Sequence, residues 1–560
     1  MTPAPDFVEA ARRWALDEAP ARVVLGVSAL AGALLALRTF GLHYVLGNSA
    51  FWSWPGGDAA MMLTGWNYFV HEPWHWPLGQ TYGTNGAAGI NILYLDTIPL
   101  VAVLGKLGRS FFGGTWHPYG LWHAAVYVLQ AVFATLLART LGIKSLVGGL
   151  GVALLALSMH MFTQRFYHEG LNGHFVLLWA LLAYFRTSRS RRPRALAAEW
   201  AACLACSVLL HPYLGAMTAA LALAAFVRLA TEDLHRAAVV SAAVTAMVVM
   251  SLVAFGYIPQ AVPPSPGLFG VASMNVLSLA LPLHSALAPK LPTVAVQDMT
   301  GVQWDGNAFL GFGVWALLLA SLLLASRAVR EHLKRHKWLV VTLLLFALYA
   351  PSNRAWLGTK RLWSYELPAW VVPAFDNLSA TGRFFWPVAY AILFAACAVV
   401  HRRFGKRGTM AIGAAAMLQL ADNTALAHVV TADLAAPRKR ELDWDAWQTK
   451  LASEAKVNIY PSFWCWPGGP PFPEREIMAG RELELIASAL GAHTNAGRTG
   501  RHITDCAKEL PERTSAAAGA LRDGEVYVFF KPAYSSEIMT TLGVERCTEM
   551  GDAFVCRSRP

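Results

Sequence analysis

The chain has 560 residues, 55% of them hydrophobic and only 14% charged, with a mean hydropathy of +0.40. Soluble globular domains carry about a quarter charged residues, so this deficit excludes an ordinary soluble protein and points to the membrane. The net charge of +11 would suit a nucleic-acid binder, but Lys and Arg gather in short runs between apolar segments, at Arg186 to Arg194, Arg327 to Lys337 and Arg402 to Arg407, as basic residues do in cytoplasmic loops.

The stretch before Arg22 is polar and no small-residue cleavage site follows the first apolar segment, so no cleavable signal peptide is expected. Apolar stretches long enough to span, or nearly so, begin near Val23, Tyr119, Ser145, Leu171, Leu196, Leu214, Ala237, Ala308, Trp338, Phe384 and Thr409. Another, Ile90 to Leu107, is short and carries Asp96, Pro99 and Gly105. If it spans, Arg139, Lys144 and the run at Arg186 fall outside; if it lies at the interface, every strongly basic loop falls inside. Eleven spans are therefore expected, with the N-terminus cytoplasmic and segments 47–118, 161–170, 257–307, 351–383 and the tail from about 429 outside.

The tail reads as a small α/β domain, with strands at Val457 to Tyr460 and Glu525 to Phe530 and an amphipathic helix from Glu476 to Leu490 ending at Gly491. Cys203, Cys206 and Cys397 lie in apolar stretches, where cysteine behaves as a small hydrophobe. Cys465, Cys506, Cys547 and Cys556 lie in the tail. Four cysteines allow three connectivities, of which 547–556 would close a short hairpin. Pairing there implies an oxidising compartment, an argument independent of the charge bias.

The segments placed outside are rich in ionisable and aromatic residues. The first contains Phe51-Trp-Ser-Trp-Pro-Gly-Gly-Asp58. Asp58 follows two glycines and precedes a helix-like run, so it reads either as an N-cap or as a general base for an acceptor hydroxyl just beyond the first span. The Trp cluster also suits an interfacial belt. A departing phosphate needs a cation, and Arg383, Arg354, Lys360 and Arg361 are candidates. Arg383 opens a span on the outer side, which a snorkelling arginine would also do. Gln164-Arg165-Phe-Tyr-His168-Glu169 and His211-Pro-Tyr213 lie at outer span ends, to contact a polar headgroup or to pair with one another. The loop Asn495-Ala-Gly-Arg-Thr-Gly-Arg501 suits a saccharide or phosphate, or is an ordinary basic loop.

His71-Glu72-Pro73-Trp74-His75 matches the HExxH pattern, whose zinc chemistry needs both His on one helical face. Pro73 removes a helical donor and clashes with the preceding turn, so no such face is expected. These residues are expected instead to line the external cavity or the interface.

Gly57-Asp58, Gly65-Trp66, Glu72-Pro-Trp-His-Trp-Pro-Leu-Gly79, Asp96-Thr-Ile-Pro-Leu100 and Gly382-Arg-Phe-Phe-Trp-Pro387 are similar to an uncharacterised family of bacterial multi-pass membrane proteins, over nearly the whole chain. A long first external loop with an early Asp, many spans and an external C-terminal α/β domain look like the GT-C class of membrane glycosyltransferases, which take sugars from polyprenyl-phosphate or polyprenyl-diphosphate carriers. The resemblance implies Asp58 as catalytic base, Asp96 as a second acidic residue and Arg383 as a donor-phosphate contact, with inversion at the anomeric carbon. Read from their positions in the external segments and at outer span ends, His71, Glu72, His75, Arg165, His168, Glu169, His211 and Arg361 are expected to face the same external cavity and contact the substrate. Some members use a divalent metal, Mg or Mn, and others none; no second acid stands immediately beside Asp58, which weakens the metal reading.

The expectation is a polytopic α-helical membrane protein of about eleven spans in a bacterial inner membrane. It would be GT-C-like over 1–428, with interfacial helices in 47–118, and would end in a periplasmic, disulfide-bearing α/β domain over 429–560. Its partners would be a polyprenyl-phosphate-linked sugar donor, a glycan or lipid acceptor and membrane lipids, with no nucleic acid. A lipid-linked saccharide flippase would carry mid-membrane ionisable groups and broken helices in paired halves, whereas here the ionisable groups gather at the outer face. A non-catalytic assembly protein with a glycan-binding tail is the other alternative.

Overall fold

The computed structural model describes residues 13–112, 116–190, 192–258, 268–291, 296–323, 327–467, 473–495, 497–501 and 504–559. The chain divides into two compact units, one of residues 1–47, 119–250 and 265–435, the other of 48–118, 251–264 and 436–560.

The first unit is helical. Each of the eleven apolar stretches contains a helix: Ala21–Phe40, Tyr119–Thr140, Leu146–Leu157, Phe175–Thr187, Pro193–Leu210, Pro212–Glu232, Leu234–Ala254, Phe312–Leu323, Lys337–Tyr349, Trp386–Phe404 and Lys406–Ala435. Among the described residues six helices are long and apolar enough to cross a membrane, and a pair bent by 55°, Leu146–Leu157 with His160–Phe166, makes a seventh if it is one broken span. The chain is thus a membrane protein, with six or seven spans by length and composition against the eleven expected. Phe175–Thr187, Phe312–Leu323 and Lys337–Tyr349 are apolar but shorter. Lys406–Ala435 is long, but it opens on charged residues and carries Gln419, Asp422 and Asn423 in its middle.

Those polar side chains are used inside the bundle. Gln419 donates to the Leu155 carbonyl (3.0 Å) and accepts from the Val314 N–H (3.0 Å), satisfying groups at the ends of two other helices. Gln130 donates to the Tyr390 hydroxyl at 2.8 Å, and the same hydroxyl lies 2.9 Å from His174 Nδ1. Small residues let the backbones approach, as membrane helices require: a Cβ on Gly32 would lie 2.6 Å from the Tyr127 carbonyl oxygen.

The second unit contains a mixed five-stranded sheet. Its strands are β1 (Lys456–Tyr460), β2 (His493–Thr494), β3 (Glu525–Phe530), β4 (Cys547–Met550) and β5 (Ala553–Arg557), in the order β2-β1-β3-β5-β4. β1 runs parallel to β2 and β3, and β5 antiparallel to β3 and β4. Helices Glu474–Ala489 and Cys506–Ala517 make the long connections that parallel strands need. Alternation along β3 buries both faces: Val526, Val528 and Phe530 pack with Leu483 and Ile486, while Tyr527 and Phe529 pack with Tyr460 and Phe554. Cys465–Cys506 and Cys547–Cys556 are disulfide-bonded, the latter across a β4–β5 register pair.

Residues 48–118 belong to this unit. The stretch from Ile90 is broken into a short strand, a 3-10 turn, Asp96 at φ 52° and a 14-residue helix, Pro99–Phe112, shorter than the about 20 residues a span needs. Leu104, Leu107 and Phe111 form an exposed apolar stripe on that helix. Lys106 and Arg109 instead donate to the Phe69 (2.6 Å), Glu72 (2.9 Å) and Val70 (2.6 Å) carbonyls, capping the end of helix Gly57–His71.

The two disulfides close loops of 41 and 9 residues in sequence separation. Chain-entropy reasoning gives about 4 kcal/mol for the longer and about 2.6 kcal/mol for the shorter. Cys506→Ser is therefore expected to lower the unfolding midpoint of the tail more than Cys556→Ser. Non-reducing mass analysis of the alkylated wild type should find label on Cys203, Cys206 and Cys397 alone.

Candidate functional site

Gly56 and Gly57 both have positive φ, 64° and 52°, a conformation L-residues rarely adopt, and through them the chain turns into helix Gly57–His71. The N-cap is Gly56, without a side-chain cap bond, so Asp58 sits inside the first turn rather than capping it. There its charge is favoured by the positive end of the helix. Arg498 Nη2 lies 2.7 Å from Asp58 Oδ1, both side chains about one-quarter exposed. Arg481, on helix Glu474–Ala489, donates to the Gly57 carbonyl. The Arg498 guanidinium also lies 5.7 Å from the Phe463 ring centre.

The loop that carries Arg498 is anchored at each side. The Arg498 N–H donates to Glu484 (3.1 Å), and the Gly500 N–H to the Tyr94 carbonyl (2.7 Å). A Cβ on Gly500 would stand 3.6 Å from Asp96 Oδ1, so the two acids singled out in the sequence border the same short loop. Tyr68 and Thr84 both hydrogen-bond the Thr494 hydroxyl (2.9 and 3.1 Å), and Asn67 donates to Ser488 (3.1 Å). Burial pushes the Glu484 carboxyl up to about 7, against the opposing effects of the Arg498 N–H and the Arg481 and Arg498 side chains. Burial and Arg498 push Arg481 down to about 10.

The HExxH residues do not share a helical face. The helix ends at His71, and Glu72 is already extended (φ −77°, ψ 159°). Glu72 accepts from Thr81 (3.0 Å) and the Tyr82 N–H (3.0 Å), and His75 Nε2 lies 3.4 Å from its other oxygen. These contacts fold the segment after the helix back on itself, while His71 is exposed.

The first unit holds a separate cluster around a residue the sequence reading passed over, Asp305. Arg165 Nη1 reaches its Oδ1 at 2.5 Å and Arg165 Nη2 its carbonyl at 3.1 Å. Arg383 closes on the carboxylate through Nε (2.8 Å) and Nη2 (3.2 Å), and His168 Nε2 stands 3.8 Å away. The Arg165 and Asp305 side chains are 1% and 3% exposed. Burial alone would raise the Asp305 carboxyl, but Arg383, Arg165 and then His168 hold it well below the usual carboxylate range. The Arg383 guanidinium lies 4.7 Å from the Tyr213 ring centre. His211 accepts from the Tyr213 N–H (3.2 Å) and caps helix Pro212–Glu232. Glu169 is buried, and its carbonyl accepts from Trp122 (2.9 Å). Arg361 lies instead on an exposed hairpin strand, Lys360–Ser364, opposite Trp356.

Arg165, His168 and Arg383 are thus brought together, as are the surroundings of Asp58 and Asp96, each group within its own unit. Two partners were missed. Asp298 and Asp305 are the only carboxylates in segment 257–307, so two arginines on the side where the charge bias disfavours them gave the clue to Asp305. Arg498 lay in a loop left open as binding or ordinary. Among the described residues no three His, Cys, Asp or Glu side chains converge to hold a metal ion, and Asp58 faces a guanidinium.

Asp305→Asn should destabilise the protein by about 3–5 kcal/mol, because it leaves buried guanidinium charge uncompensated; thermal unfolding in detergent measures it. Glu484 gives a pH effect of defined sign. Its folded pKa of about 7 exceeds the ordinary value of about 4.3, so the folded state holds more protons between these limits. Stability should therefore fall as pH rises through that window, by about 4 kcal/mol at most, and level off above it. In Glu484→Gln this part of the pH dependence should disappear.

Among curated proteins none matches the sequence. Solved structures to which the chain is similar include the archaeal oligosaccharyltransferase AglB from Archaeoglobus fulgidus in complex with an inhibitory peptide and a dolichol-phosphate. It is 13% identical, with 90% of this chain and 69% of that chain covered and a TM-score of 0.48. The apo form of the Archaeoglobus fulgidus oligosaccharyltransferase is 12% identical, with coverages of 84% and 64% and a TM-score of 0.43. The form tethered to an acceptor peptide is 13% identical, with coverages of 92% and 68% and a TM-score of 0.42. Residues 29–424 match one family model, and the chain belongs to that family, described as Domain of unknown function (DUF6311).

Proposed function

We propose that this protein is an inverting membrane glycosyltransferase that moves a sugar from a polyprenyl-phosphate carrier to a glycan or lipid acceptor. The observation that carries the reading is Asp58, a part-exposed carboxylate in the first turn of a helix, oriented by Arg498. A general base must accept its proton from a defined position, and the ion pair holds the carboxylate in one. In the reaction the acceptor hydroxyl gives its proton to Asp58 while its oxygen attacks the anomeric carbon. The bond from that carbon to the lipid-phosphate oxygen breaks, and the phosphate leaves with the electron pair. Arg498 and Arg481 put positive charge beside Asp58 for a departing phosphate. Arg383 would contact the donor only by sharing its guanidinium with Asp305.

The topology proposed with this function has eleven spans, the shorter apolar helices included, in a bacterial inner membrane. The N-terminus is cytoplasmic, and residues 429–560 form a periplasmic domain. The charge bias of the loops and the paired tail cysteines support this orientation.

The test is transfer of label from a sugar-labelled polyprenyl-phosphate lipid extract into acceptor material by the purified protein. Asp58→Asn should lower transfer by about 10²–10⁴-fold while leaving membrane insertion intact. Arg383→Ala should raise the KM for donor more than for acceptor. Undiminished transfer by Asp58→Asn would remove the base, and absence of transfer by the wild type with every donor fraction would favour a flippase or assembly role.

A further inference from the structure

A cavity of about 570 Å³ lies in the helical unit, walled by helices Phe175–Thr187, Lys337–Tyr349 and Trp386–Phe404 and lined at one end by Arg327–Arg335. Its walls are apolar: Leu343 and Leu344 from one helix, Ile392, Ala395 and Val399 from another. At 1.5 Å per residue, the lining from Val388 to Arg403 runs about 22 Å, longer than the about 15 Å of hydrocarbon in one leaflet. One end is polar, with His332 and His336 in the lining beside the charged Arg402 and Arg403.

Several further cations surround that end. Arg228 Nη1 lies 3.0 Å from His336 Nδ1. Burial, then His332, Arg228, Arg335 and Arg189, push His336 down to about 3, and burial, then Arg402, Arg335 and Arg228, lower His332. Arg228 is met by Glu232 at 3.4 Å. Arg402 donates to the Leu141 carbonyl at 3.4 Å, and among the described residues no carboxylate pairs with Arg402 or Arg403. A trough of acyl-chain length ending in arginines matches a lipid whose head is anionic.

We infer that this groove binds an anionic glycerophospholipid of the bilayer, with an acyl chain along Leu343, Leu344, Ile392, Ala395 and Val399 and its phosphate at Arg402 and Arg403. The site is independent of the glycosyl-transfer reading. Arg383 precedes helix Trp386–Phe404 and Arg402 lies in its last turn, 19 residues and about 28 Å further on. That is close to the full hydrocarbon thickness, so the headgroup sits in the leaflet opposite Arg383.

The experiment is native mass spectrometry of the delipidated full-length protein titrated with phosphatidylglycerol or phosphatidylcholine. Each arginine near a phosphate contributes roughly fivefold, so the wild type should favour phosphatidylglycerol by about thirtyfold. Arg402→Ala with Arg403→Ala should bring that ratio close to one. Ala395→Trp keeps both arginines but fills the groove and should abolish the phosphatidylglycerol adduct. Excess inorganic phosphate should not displace the lipid. Equal retention of the two lipids by the wild type, an adduct unchanged in both variants, or displacement by inorganic phosphate would each overturn the assignment.

Discussion

Two arginines, one of them fully buried, share a single carboxylate, and that arrangement organises one end of the helical unit. A buried guanidinium without a partner is strongly destabilising, whereas one paired with a carboxylate can be held. Asp305 meets this demand from a short turn and takes donors from two other segments, 164–167 and 381–385. The contact draws backbone with it. The Gly382 N–H reaches the Ala272 carbonyl, and a Cβ on Gly382 would lie 2.5 Å from the Gly306 Cα. The glycine in Gly382-Arg-Phe-Phe-Trp-Pro387 is therefore needed for close approach as much as the arginine is for charge.

The second unit solves a similar problem at the Asp58 end of its helix. Arg498 stands close enough to Arg481 to disfavour its charge, and Glu484 and Asp58 oppose that effect. Glu484 is buried enough to sit near its own titration point, so the charge balance around Asp58 depends on pH. Asp58 is held in place by a residue more than four hundred positions away in sequence, on the loop that also borders Asp96. The C-terminal segment thus completes the candidate base within its own compact unit.

Local patterns carried most of the fold. Apolar run length placed a helix in every stretch named, Pro73 ended the helix that HExxH chemistry would require, and the apolar run at Glu525 to Phe530, flanked by Gly, Pro and charged residues, marked a strand that proves central in the sheet. Span counting was less secure. Three apolar helices fall short of the length a span requires by itself, and Lys406–Ala435 carries a polar middle whose Gln419 is satisfied by neighbouring helices. Asp305 and Arg498 could not be read from local pattern at all. Each is an ordinary charged residue in a loop, and its importance comes from partners 140 and 440 positions away.

Chemistry selects partners by type, while the fold selects them by position, and here the two give different pairings. On chemical grounds Asp58 was matched with Arg383 as base and phosphate contact, yet each has a partner within its own unit, Arg498 for the one and Asp305 for the other. Arg383 is committed through two of its donors to a carboxylate whose ionisation is strongly favoured, so drawing it onto a donor phosphate would weaken the contact that neutralises buried Arg165. Arg498 carries a smaller penalty. It is part-exposed, its partner sits at a favourable helix end, and protonation of Asp58 by the acceptor would loosen their ion pair as negative charge develops on the leaving phosphate. Within the proposed reaction, Arg498 is therefore better placed than Arg383 to respond to that charge, because the same proton transfer that creates the demand also releases the guanidinium.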